Sequence, residues 1–250
     1  MPSRIPRCNL VSPPPRRHAG TLLAVAAVTS AAFLVLLAGL HLLEPEFAPG
    51  WRFISEYQLG AWGPLMSVAF GCLAVSAGCL LVALRSQIRS VGGRVGLALL
   101  AVSAGGFALA AVFRTDSLLA PATSASGAVH SVAAVLGGFA PFAVLLLGWS
   151  LARYVAWRPI RSTLWWVAVP WIVATIGSVW QQAVIASAGG AFGPGVPVGA
   201  PNRILMGGIA GSMLSLAVVT LVALRRGRRA THPPVRPGVE WARSAPDPES

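Results

Sequence analysis

Long apolar runs separated by short polar breaks dominate the chain. Six of them, at about residues 20–40, 60–84, 95–113, 127–152, 162–186 and 204–224, are close to the length of about twenty residues that carries a helix across the hydrocarbon core of a bilayer. None contains Asp, Glu or Arg. In lipid a backbone must satisfy its own N–H and C=O groups, so runs of this length form helices. The expected fold is an all-α integral membrane protein, six transmembrane helices in one bundle over residues 20–224. The flanking segments, 1–19 and 225–250, are rich in Arg and Pro and read as disordered tails.

The polar breaks are not alike. All 19 basic residues are arginine. Sixteen of them lie in the two tails and in the connections after the second and fourth runs; only Arg52, Arg114 and Arg203 lie in the others. Six spans put these two sets on opposite sides, and the positive-inside rule places both termini in the cytoplasm. The setting this implies is a bacterial plasma membrane. The net charge of +12 is then mainly an orientation signal. Aromatic residues mark the two boundaries: Trp149, Tyr154, Trp157, Trp165 and Trp166 on the cytoplasmic side, and Trp51, Phe53, Tyr57 and Trp62 on the outer side. The cluster Arg225, Arg226, Arg228 and Arg229 suits anionic lipid headgroups at about 1 kcal/mol per residue. No aromatic or fold element accompanies it, which argues against nucleic acid.

Composition removes other classes. With 55% hydrophobic and only 10% charged residues, the chain is no soluble domain. The absence of lysine excludes a Schiff-base cofactor and a Walker-type phosphate loop. Cys8, Cys72 and Cys79 form no metal or redox pattern. No haem ligand pair or in-span voltage-sensing arginine is present either, and no cofactor is expected. Within the spans, Gly207 and Gly211, and the series Ser67, Gly71, Ala74 and Gly78, allow close helix packing, inside the bundle or against an oligomer partner. Pro141 and Pro170 should kink the fourth and fifth helices.

The remaining ionisable residues gather on the outer side. His41, Glu44, Glu46, Arg52 and Glu56 belong to the first outer loop, Arg114 and Asp116 to the second, and His130 to the start of the fourth helix; Gln181 and Gln182 approach from the fifth. Ser55 and Gln58 have capping-box spacing, so helix two is expected to begin near Glu56, with Pro64 kinking its outer part. In a compact bundle Glu56, Arg114, Asp116 and His130 form one outward-facing polar site. Such a site binds a small molecule, ion or lipid without enzymatic chemistry, for transport or sensing. The residues leave open a structural or regulatory partner of another membrane protein, working through the small-residue faces. They also leave open a metal-dependent membrane hydrolase using His41, Asp116 and His130, and polar groups that merely pair and position loops.

The segments Ile54-Ser55-Glu56-Tyr57, Phe113-Arg114-Thr115-Asp116 and His130 resemble the bacterial membrane family catalogued as domain of unknown function 998, over most of the chain. Family members often carry proline where Arg114 stands. The chain is more distantly similar to the Frag1/DRAM/Sfk1 group of six-span proteins. The resemblance implies a six-helix bundle, singles out Glu56, Asp116 and His130, and implies no defined activity.

Overall fold

The computed structural model describes residues 18–153 and 165–231. Residues 1–17 and 232–250 of the two expected tails, and the aromatic positions Tyr154 and Trp157, lie outside the described residues. Those described form helices α1 (Ala19–Leu43), α2 (Gly63–Leu84), α3 (Val91–Val112), α4 (Ala125–Gly137), α5 (Ala140–Ala152), α6 (Trp165–Ser187) and α7 (Gly199–Thr231). A 3₁₀ turn, Ile54–Leu59, precedes α2. Six stretches are long and apolar enough to span a membrane, α4 and α5 together making one of them.

Helix packing follows the spacing of buried positions. In α1 the buried residues Leu23, Ala26, Ser30, Phe33, Leu37 and Leu40 alternate steps of three and four. In α3, Gly93, Gly96, Leu100, Ser103, Phe107 and Ala110 do the same. That spacing keeps one stripe of each helix turned towards its neighbours. α1 lies between α2 and α7, α3 between α2 and the α4–α5 pair, and α7 joins α6, α1 and α5. One interhelical bond has a fixed direction. Ser76 Oγ donates its single proton to Ala26 O (3.0 Å), so it accepts from Ser30 Oγ (2.7 Å).

Glycine permits the closest approaches. A Cβ on Gly177 of α6 would fall 2.4 Å from Leu205 N, and one on Gly208 of α7 would fall 2.4 Å from Ala174 N. These two positions bring α6 and α7 backbone to backbone. Of the small residues singled out above, Gly211 rests on Pro170, while Gly207, Gly71 and Gly78 have open space where a side chain would go.

Three local features differ from the sequence expectation. Pro141 breaks its span rather than kinking it: α4 ends at Gly137 and α5 starts at Ala140, because proline has no N–H for the carbonyl four residues back. Pro64 does not kink a helix begun at Glu56; it occupies the first turn of α2, where a missing N–H is no loss. α7 starts at Gly199 and runs to Thr231, so Arg203 lies inside a helix and Arg225, Arg226, Arg228 and Arg229 continue it. Arginine has high helix propensity, and a long apolar helix is readily prolonged by it.

Candidate functional site

The connections 44–62, 113–124 and 188–198 share one end of the bundle, the loop face, opposite the arginine-rich face. On it a network of polar residues closes the bundle. Glu56 sits on the 3₁₀ turn and is buried. Its Oε1 accepts from Arg52 Nη1 (2.6 Å) and from Leu118 N (2.9 Å), and its Oε2 accepts from Phe53 N (3.2 Å). The carboxylate thus performs the reach-back expected of Gln58, and to Phe53 rather than Ser55. Gln58, fully buried, instead ties three elements: Nε2 donates to Ser67 Oγ and Ala110 O, while Oε1 accepts from Thr115 N.

Arg203 is the second hub. Its Nε donates to His41 Nε2 (2.7 Å), Nη1 to Arg52 O (2.7 Å) and Gly199 O (3.0 Å), and Nη2 to Tyr57 Oη (3.1 Å). His41 Nδ1 lies 2.6 Å from Leu37 O and donates to it, so both ring nitrogens are used. Tyr57, expected in the aromatic belt, is instead buried, edge-on to His41 and Phe47, because its hydroxyl is needed by Arg203. The signal for Arg203 was its position two residues after Pro201 with no acidic residue nearby. Gly199-Ala-Pro marks a helix start, which places the arginine one turn in, beside the first loop.

The four residues expected to form one site divide. Glu56, Asp116 and His130 all hold the segment after α3. Asp116 Oδ1 and Oδ2 accept from Ser124 Oγ and Ser124 N, each at 2.7 Å. Ser124 is in turn the N-cap of α4, accepting from Gly127 N (3.0 Å), so the carboxylate also lies at the positive end of that helix. His130 Nδ1 lies 2.8 Å from Phe113 O. Arg114 is exposed, and only its carbonyl takes part, accepting from Ser126 Oγ. Among the described residues no group of three or more His, Cys, Asp or Glu is close enough to hold a metal ion. His41, Asp116 and His130, the metal ligands considered above, are each engaged separately.

Beneath this cap lies a cavity of about 340 Å³. Both halves of the broken α4–α5 span pack on α3, and α5 also reaches α6 and α7, while α4 and α6 face each other across the cavity. The close α3–α4 approach requires Gly106, where a Cβ would meet Gly137 N at 2.6 Å. His130 contributes from α4, Gln181 and Gln182 from α6, Asn202 from α7 and Ser55 from the 3₁₀ turn. Phe70, Phe107, Phe139 and Phe142 supply aromatic wall. His130 is itself buried, edge-on to Phe70 at 5.7 Å between ring centres.

A model of the family described as "Protein of unknown function (DUF998)" matches residues 24–219. The chain belongs to that family. The matched stretch takes in both the polar cap and the cavity, and it ends before the arginine cluster of α7. The comparison does not extend to the Frag1/DRAM/Sfk1 group. No curated protein and no solved structure matches the chain.

Proposed function

We propose that this protein binds a small amphipathic molecule dissolved in the membrane, inside the cavity between α4–α5 and α6–α7. The observation that carries the reading is where the cavity opens. Val135, Phe139 and Phe142 line it and are also exposed on the flank of the bundle, at 67%, 37% and 51%. In a six-span protein that flank faces acyl chains, so the opening is lateral. A site reached through lipid, with aromatic walls and a few polar groups, suits a membrane-soluble ligand better than a free ion. The arginine distribution supports a plasma-membrane protein with the loop face outward and the cavity in the outer half of the bilayer. Glu56, Asp116 and His130 serve the site by fixing the loop segment above it, and His130 also touches the cavity. Exposed Arg225 and Arg226 at the end of α7 suit anionic headgroups on the cytoplasmic side.

Native mass spectrometry of the full chain in mild detergent tests this. The wild type should retain a small molecule or lipid, and Ala134→Trp, which places an indole at the cavity mouth, should lose it without a fall in Tm. Retention of nothing by the wild type, or equal retention by Ala134→Trp, would overturn the reading. Orientation is tested by a reporter fused after Ser250, which should be active only in the cytoplasm.

A further inference from the structure

Hydrogen-bond polarity in the cavity wall is fixed by the backbone. Ile54 N–H can only donate, so Asn202 accepts it with Oδ1 (3.1 Å). Asn202 therefore turns Nδ2 towards Gln181, which must accept with Oε1 (3.0 Å). What remains to Gln181 is its amide NH₂. The opposite wall is fixed in the same way. Phe113 O can only accept, so His130 Nδ1 carries the proton (2.8 Å), and in the neutral ring Nε2 is left as a lone pair. Among the described residues, neither the Gln181 NH₂ nor His130 Nε2 has a partner. Gln181 thus turns a spare donor from α6 into the cavity and His130 a spare acceptor from α4, while Ser55, Ser178 and Gln182, which also line it, can each donate or accept. No Asp, Glu or Arg lines it.

From this polarity we infer that the ligand is an uncharged amphiphile presenting a hydroxyl hydrogen to His130 Nε2 and a carbonyl oxygen to Gln181 Nε2, with its apolar body against the phenylalanines. The inference rests on the cavity-binding reading above and narrows it to a chemical class. An anionic or zwitterionic headgroup would bring charge into a wall with no countercharge, at a desolvation cost nothing there offsets. Two sources share the required chemistry: a glycerolipid alcohol such as a diacylglycerol, and a lipophilic hydroxylated ring such as an alkyl hydroquinone, whose second oxygen takes the place of the carbonyl. The aromatic walls accommodate either.

The test measures binding of four probes to the full chain in nanodiscs: 1,2-dioctanoylglycerol, its 3-O-methyl ether, dioctanoyl phosphatidic acid and a decyl hydroquinone. Dioctanoylglycerol, the hydroquinone or both should bind. Loss of the hydroxyl hydrogen in the methyl ether should weaken dioctanoylglycerol binding about tenfold, the equivalent of one hydrogen bond. Phosphatidic acid should bind at least as weakly. Whichever of the two hydroxyl probes binds more tightly identifies the source. His130→Phe keeps an aromatic ring and removes the acceptor, so it should abolish the distinction between dioctanoylglycerol and its ether. The ether comparison needs no variant and stands if His130→Phe does not fold. Where dioctanoylglycerol binds, equal binding of its ether by the wild type would overturn the chemical class while leaving cavity binding intact, as would binding of phosphatidic acid tighter than that of both hydroxyl probes. Binding of none of the four, together with no retained molecule in native mass spectrometry, would overturn both.

Discussion

The polar cap and the cavity wall are built from the same kinds of residue, yet they use them in opposite ways. In the cap, Glu56, Arg203 and Gln58 each make three or more hydrogen bonds, and His41 uses both ring nitrogens. In the wall, His130 and Gln181 are each held by one bond and keep a second group free. A buried polar group with all its partners rigidifies a fold; one with a spare atom facing a cavity is available to a ligand. The contrast separates residues that a reading of charge alone puts together. Glu56 is the most ionic feature of the loop face, and it is structural. His130, drawn into the same cluster, belongs to both regions.

Removing Glu56 should have the largest effect on stability. Glu56→Ala leaves Arg52 without its carboxylate and the N–H groups of Phe53 and Leu118 without an acceptor. A loss of about 3 kcal/mol is expected, the low end for breaking a buried pair because Arg52 remains partly exposed. Thermal unfolding in detergent measures it. A Tm unchanged from wild type would mean that the cap is not what closes the bundle. Arg203→Lys comes next, at about 2 kcal/mol. Lysine keeps the charge but cannot reach His41, Arg52, Gly199 and Tyr57 together from one ammonium. Equal stability of Arg203→Lys would show that charge, rather than the fork of donors, holds the loop.

How much of this was legible beforehand depends on the interaction involved. The six spans and their order follow from apolar run length, since lipid leaves the backbone no alternative to helix. That Glu56, Asp116 and His130 attend to one segment was also legible, because short connections on the same side force them together. Two things were not. The break between Gly137 and Ala140 depends on how α4 and α5 each seat on α3, and a proline predicts it only as a bend. The role of Arg203 depends on α7 starting at Gly199, five residues before its apolar run at Ile204, and helix starts outside the hydrophobic pattern are marked only by Pro201 and the polar residues after it. The cavity lies between these two misplaced boundaries, and neither its walls nor its polarity can be read from spacing.

The wall residues should behave in the reverse manner to the cap. His130→Phe removes one hydrogen bond to Phe113 O and fills with a ring of similar size, so about 1 kcal/mol is expected. This is well below the cost at Glu56, while ligand discrimination is lost entirely. If Glu56→Ala proved milder than His130→Phe in the same unfolding measurement, the division between cap and wall would fail.

The smallest effect sharpens the cap itself. Glu44 follows α1, its Oε1 accepting from Trp62 N while Oε2 is shielded without a partner. Burial, opposed by that backbone bond and reinforced by the neighbouring Glu46, pushes its carboxyl above the ordinary value of 4.5. The covering is local, for Glu44 lies at the edge of the fold under the Gly60–Trp62 turn, so the consequence is of the order of 1 °C in Tm. The sign is definite. A carboxyl whose pKa is higher in the folded than in the unfolded state stabilises the fold when protonated; that contribution is complete below the unfolded value and is lost as the pH rises through the folded one. Glu44→Gln imitates the protonated acid at every pH. Its Tm should therefore gain on the wild type as the pH rises above the ordinary carboxyl value of 4.5, and hold a constant lead once the wild-type carboxyl is fully ionised. A lead that shrinks with rising pH would mean that Glu44 is stabilised as a carboxylate.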